Sequence, residues 1–158
     1  MADNILQGDT DSNEFRIGIA IAKWNSFITD ELLEGALNTL KSKGFSGEQI
    51  LIARCPGAYE LPFTARKLMD HTDGVITLGA VIRGDTPHFD YVCDAVNRGV
   101  TDLNLEGNKP VVFGVLTTDN VAQAQERAGL KGDKGNKGAE AALALIEMIS
   151  LTKKFEKL

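Results

Sequence analysis

Cysteine is scarce in this chain of 158 residues, with Cys55 and Cys93 the only two. Two thiols cannot build a disulfide framework, and no Cys-x-x-Cys or Cys/His spacing suggests a structural metal. They read as free thiols serving as small hydrophobes. Positive charge is also in short supply. With 17 Lys and Arg against 22 Asp and Glu, the net charge of −5 argues against nucleic acid or an anionic membrane as main partner. No apolar run approaches the roughly 18 residues of a membrane span, and the polar start MADNILQGDTDSN does not read as a signal peptide. The C-terminal FEKL matches no lipidation or retention pattern. These absences predict a cytoplasmic protein working without membrane, nucleic acid or metal.

Familiar catalytic signatures are missing too. GLKGDKGNKG lacks the G-x-x-x-x-G-K-[ST] frame of a P-loop, and no G-x-G-x-x-G follows a strand. A receiver domain needs acidic residues after its first strand, where Lys23-Trp24 stand here. No serine-centred hydrolase motif occurs. No cofactor is therefore expected.

What is present is one core's worth of apolar residues. A hydrophobic content of 43% over this length supports a single domain, read as residues 14–158 after a polar, flexible arm over 1–13. RIGIAIA (16–22), QILIAR (49–54), GVITLGAVI (74–82) and VVFGVLT (111–117) are short apolar runs that predict strands covered on both faces. Between them, Leu32, Leu33, Ala36, Leu37 and Leu40 recur at helical spacing, with Thr29 as N-cap and Gly44 just past the end. CPGAYELP reads as a turn into a helix over PFTARKLMDH. Phe89, Val92, Val96, Val100 and Leu103 form another helical stripe. Residues 119–129 and AEAALALIEMISLTKKF supply the last helices, separated by the Gly/Lys-rich break. Alternating strands and helices predict an α/β fold: a flavodoxin-like three-layer αβα sandwich with a four-stranded parallel sheet.

Ligands of such sheets bind beyond the carboxyl ends of the strands. The chain's unusual segments all fall there. Lys23-Trp24-Asn25 follows the first strand, Pro56 to Glu60 the second, Arg83 to His88 the third and Leu116 to Thr118 the fourth. In GAVIRGDTPHFDYV (79–92), Gly84-Asp85-Thr86 precedes a helix whose first N–H groups and dipole favour an anion. An ordinary N-cap by Asp85 or Thr86 accounts for the same residues. His88 emerges beside that loop, and an imidazole suits general acid/base work, although a lone His near a helix start is commonly structural. Trp24 can stack on a flat heterocycle or pack at the rim. Glu60 can accept bonds from a ligand or serve as a first-turn acid, and Arg127, in AQAQERAG, reads alone as a solvated arginine. His71 has no such setting. The residues describe a site for a planar ligand and a phosphate, and leave the reaction open.

Five segments in order, AKWNSFIT (22–29), PGAYELP (56–62), GAVIRGDTPHFDYV (79–92), PVVFGVLTT (110–118) and RAG…GNKGAEAA (127–142), resemble the lumazine synthase family. The resemblance runs from about Phe15 to Phe155. It implies condensation of 5-amino-6-(D-ribitylamino)uracil with 3,4-dihydroxy-2-butanone 4-phosphate to 6,7-dimethyl-8-ribityllumazine, phosphate and water. It further implies that Trp24, with Asn25 beside it, stacks on the pyrimidine where most members carry Phe. Ala58, Tyr59 and Glu60 then hold the ribityl chain, and Ala80, Val81 and Ile82 the ring edge. Asp85, Thr86 and Arg127 hold the phosphate, His88 gives and takes protons, and Phe113 closes the pocket from a neighbouring subunit. Lys137 matches a lysine near the family's site. A homo-oligomer is implied as well, at least a ring of five, with sixty-subunit shells known in the family. Two departures stand out. Asp85 replaces a small neutral residue, and GLKGDKGNKG is two residues longer than the common GTKAGNKG, a length that favours the free pentamer.

Other functions on the same fold compete with this one. An archaeal-type riboflavin synthase has no phosphate to bind, so the intact RGDTPHFDYV loop and Arg127 speak against it. A non-catalytic flavin or lumazine carrier, or a shell protein with a vestigial pocket, would fail to turn over the two substrates.

Overall fold

The apolar runs set the layers. In the computed structural model, which describes residues 4–158, β1 (Ile17–Ala22) is buried at every position and β3 (Gly74–Ile82) at its first seven. β2 (Ile50–Cys55) and β4 (Val111–Thr118) flank them in the order β2-β1-β3-β4, every pair parallel. Side chains alternate across the sheet. Ile17, Ile19 and Ile21 of β1, with Ile76 and Leu78 of β3, meet Leu32 and Leu40 of α1 (Ser26–Ser42) and Leu145, Ile146 and Ile149 of α5 (Lys137–Phe155). Ala20, Ala22 and Val75 face the other way, onto Leu61, Ala65 and Leu68 of α2 (Leu61–Met69) and Val96 and Val100 of α3 (His88–Leu105). α4 (Val121–Arg127) sits beside β4 and contributes Ala124 to the first layer. This is the expected parallel αβα sandwich.

Helix starts differ from the sequence reading. Thr29 does not cap α1; it lies fully buried within the helix, and the cap is Asn25 in the left-handed region at φ 60°. The Asn25 carbonyl accepts from the amides of Ile28 (2.9 Å) and Thr29 (3.0 Å), so the chain turns into the helix directly from β1. Gly44 takes φ +90° just beyond α1, where a left-handed residue ends a helix. In CPGAYELP, Ala58–Glu60 forms one 3-10 turn that runs straight into α2. α5 begins at Lys137, two residues before the predicted start, because the Asn136 side chain caps it, accepting from Gly138 N (2.8 Å) and Ala139 N (3.1 Å).

Residues 1–3 of the arm lie outside the described residues, and 4–13 carry no regular structure. From Gln7 onward the segment lies along α5. Lys154 Nζ donates to Gln7 O at 2.7 Å and to Asp9 Oδ2 at 3.1 Å, and Asp9 N donates to Ser150 Oγ at 3.2 Å. The Lys154 hydrogen bond holds the Asp9 carboxyl below the usual carboxylate range. A Cβ on Gly8 would stand 2.1 Å from the Glu147 carbonyl oxygen, so only glycine lets the backbones approach this closely.

Candidate active site

The carboxyl ends of β1, β2 and β3 are tied into one rim. Lys23 N and Trp24 N donate to Cys55 O (2.8 Å) and Pro56 O (3.0 Å), joining the exits of β1 and β2. Asn25 Nδ2 donates to Ala80 O at 2.8 Å, anchoring the same turn to β3. The Trp24 ring lies over Gly57, where a Cβ would meet ring atom Cε3 at 2.2 Å. Glycine at 57 thus lets the tryptophan lie in this position, where it remains 64% exposed and available to a ligand. Glu60 Oε2 accepts from Gly57 N at 3.0 Å, so one carboxylate oxygen already holds the 3-10 turn.

These residues line a cavity of about 550 Å³. It brings together Trp24, Asn25, Ala58, Tyr59, Glu60, Ala80, Val81, Ile82, Thr86 and His88. A volume in this range suits a ligand of small-molecule size. His88 opens α3 and is exposed at the cavity wall; its amide donates to Thr86 Oγ1 at 3.4 Å. Among the described residues, the backbone N–H groups of Gly84, Asp85 and Thr86 have no hydrogen-bond partner, and a Cβ on Gly84 would meet nothing within 4 Å. Free donors and open space at the start of an 18-residue helix suit an anion. Asp85 is exposed and lies outside the cavity wall.

Phe113, Arg127 and Lys137 are elsewhere. They share a second hollow of about 380 Å³ between β4 and α5, with no lining residue in common with the first. Arg127 Nη1 donates to Gln123 O at 3.1 Å and lies 3.7 Å from Glu126 Oε2. Lys137 Nζ pairs with Glu140 at 2.7 Å. Among the described residues no bond joins Arg127 to Asp85 or Thr86, so the expected phosphate trio does not assemble within one chain.

Two wall residues escaped the sequence reading. Phe89 and Val92 line the cavity, the outer end of the helical stripe that continues as Val96 and Val100 in the core. The signal was there, but period alone does not say where a stripe leaves the core. Arg83 lies against Phe89. Its Nε bonds Asp119 Oδ1 at 3.0 Å, its Nη1 lies 3.5 Å from Asp90 Oδ1, and its guanidinium carbon sits 4.3 Å from the Phe89 ring centre. The Asp119 hydrogen bond raises the Arg83 pKa further.

The thiols are poorly suited to nucleophilic work, since burial pushes Cys55 up, and burial with nearby Asp90 pushes Cys93 up. Among the described residues no three His, Cys, Asp or Glu side chains group as a metal site. No helix among them is long and apolar enough to cross a membrane.

Comparison with known proteins identifies the family. The pattern of the 6,7-dimethyl-8-ribityllumazine synthase family matches residues 14–153. A 6,7-dimethyl-8-ribityllumazine synthase of Parabacteroides distasonis is 52% identical over 121 residues, covering 75% of this chain and 76% of the relative. One of Porphyromonas gingivalis is 49% identical over 120 residues, covering 75% and 74%. With a parallel αβα fold and a sequence pattern matched over nearly its whole length, this chain belongs to the 6,7-dimethyl-8-ribityllumazine synthase family.

Proposed function

We propose that the chain performs the family's reaction at a composite site, the 550 Å³ cavity of one subunit closed by Phe113, Arg127 and Lys137 of the next. The reaction is the condensation of 5-amino-6-(D-ribitylamino)uracil with 3,4-dihydroxy-2-butanone 4-phosphate to give 6,7-dimethyl-8-ribityllumazine, phosphate and water. The observation that carries the composite site is the division of the residues. Those suited to the pyrimidine and ribityl chain line one hollow, and the cations suited to a phosphate line another with Phe113. Nothing favours a riboflavin synthase or a passive carrier.

In this arrangement Trp24 stacks on the pyrimidine, and Ala80, Val81 and Ile82 border its edge. Asn25 fixes the turn that carries the indole. Ala58, Tyr59 and the free oxygen of Glu60 meet the ribityl chain. The free N–H groups around Asp85 and the Thr86 hydroxyl receive the phosphate, and the neighbour's Arg127 supplies a charge-assisted bond. Lys137 adds a second positive charge. The substrate amine attacks the ketone to form an imine, phosphate leaves by elimination, and the ring closes with loss of water. His88, at the cavity wall, takes and returns the protons of these steps. Both reactive groups belong to the substrates, so holding them together supplies much of the rate. The unpaired Cys55 and Cys93 fit a cytoplasmic setting.

Mixed assemblies test the composite site. Arg127→Ala subunits keep an intact cavity, and Ala58→Trp subunits keep an intact Arg127 but a filled cavity. Unfolded together and reassembled, the two inactive variants should regain about a quarter of wild-type activity, the random share of interfaces with both halves intact. No recovery in properly assembled mixtures would place the whole site within one chain.

A further inference from the structure

Arg83 stands between Ile82 and Gly84 of the cavity wall, yet nothing in the condensation chemistry calls on it. It immediately precedes Gly84, the first residue of the loop with free N–H groups. Its guanidinium is held by two carboxylates, Asp119 after β4 at 3.0 Å and Asp90 in the first turn of α3 at 3.5 Å. It also covers the ring of Phe89, which forms part of the cavity wall. One positive charge thus stands between two negative ones beside the loop proposed to receive the dianionic phosphate. Asp85 adds a further carboxylate in the loop itself. Without Arg83, Asp90 and Asp119 would face that phosphate unscreened.

We propose that Arg83 is a positioning residue for the phosphorylated substrate, holding Asp90 and Asp119 and cancelling part of their field at the Gly84–Thr86 loop. The proposal rests on the reading that this loop receives the phosphate. Arg83 touches no reacting atom in this scheme. Its effect is on binding of the butanone phosphate and leaves the uncharged pyrimidine substrate alone.

The test is steady-state kinetics with each substrate varied in turn. Arg83→Met should raise KM for the butanone phosphate about three- to tenfold, as expected of one or two uncompensated charges several ångströms away in a partly screened setting. Both kcat and KM for the pyrimidine should stay within about twofold of wild type. Inhibition by inorganic phosphate should weaken in parallel, and the deficit should shrink as salt is added. The decisive variant is Arg83→Met combined with Asp90→Asn and Asp119→Asn. Removal of the two carboxylates should restore KM, because charge, and not packing, was lost. A triple variant with the same raised KM, or a single variant that changes kcat alone, overturns the proposal. Thr86→Val separates this from the underlying reading. If Thr86→Val raises KM for the butanone phosphate and Arg83→Met does not, only the Arg83 role falls. If neither variant shifts it, the phosphate is not at this loop, and both fall.

Discussion

Three side chains differ in how much chemistry they are asked to supply. Arg127, seated in the second hollow, is asked for a phosphate bond worth roughly 1.5–3 kcal/mol, and its loss leaves an anion unpaired. Arg127→Ala should therefore keep its fold and lower kcat/KM by about two orders of magnitude or more; near-normal turnover would remove it from the site. His88 carries less. Positioning survives its truncation, so His88→Ala should lower kcat by about one to two orders of magnitude, and a folded, ligand-binding variant with no activity would mean that proton transfer dominates. Trp24 is a binding residue on this reading, so Trp24→Phe should keep the stack while Trp24→Ala weakens pyrimidine binding with little change in kcat. As the only tryptophan, it should also be quenched by bound pyrimidine. Unchanged emission at saturation would place the indole outside the pocket. At this scale the sequence is informative about which residues, and silent about how they meet. Arg127 and Thr86 stand in ordered motifs, but their separation into two hollows depends on the path of β4 and α5.

Elements are legible where periodicity rules and obscure where side chains cap. β3 keeps the bounds its sequence predicts because its run is apolar but for Thr77, whose hydroxyl donates to Val112 O at 2.8 Å, and its first seven residues are buried. The start of α1 escapes prediction because Asn25 enters it through a left-handed conformation that no hydrophobic period records. The start of α5 escapes for a related reason. Asn136 accepts from two amides of the first turn, while its Nδ2 donates to Glu31 O and Ala128 O, both at 3.0 Å. This one amide binds α5 to α1 and to the end of α4, and so fixes Lys137 and Arg127 relative to each other. Asn136→Ala should cost about 2–4 kcal/mol, since a cap and two half-buried donors are lost together. Asn136→Asp should cost less than Ala if the cap matters most, because its carboxylate can still accept from the amides. Urea unfolding midpoints would rank the two, and a wild-type midpoint for Asn136→Ala would show that the junction holds without it.

For the whole molecule, the open question is how far assembly proceeds. A site divided between two hollows needs a heterologous contact, and such contacts close into rings only when the rotation fits. On the proposed assembly, contact between one ring and another would involve the segment GLKGDKGNKG. Gly129, Gly132 and Gly135 all take positive φ, and residues 130–135 are exposed, so Lys131, Asp133 and Lys134 project from the surface. Charges and added length at this turn should obstruct packing of one ring on another. Light scattering during size exclusion should thus give a mass near five chains. A mass near sixty would refute the inference from the turn, and a monomer with full activity would sink the shared site.

The double-sided burial of β1 and β3 has a further consequence for how this protein can change. The residues that bear stability are almost all at the centre of the sheet and beneath the helices, whereas Trp24, Tyr59 and His88 stand on an exposed rim. Substitutions at these exposed positions draw little on the free energy of folding, unlike those at the buried wall residues Ala58, Ala80 and Phe89. The scaffold can therefore explore new substrates while cellular abundance stays nearly constant. Gly57 is a further exception: a side chain there would require the exposed indole of Trp24 above it to move.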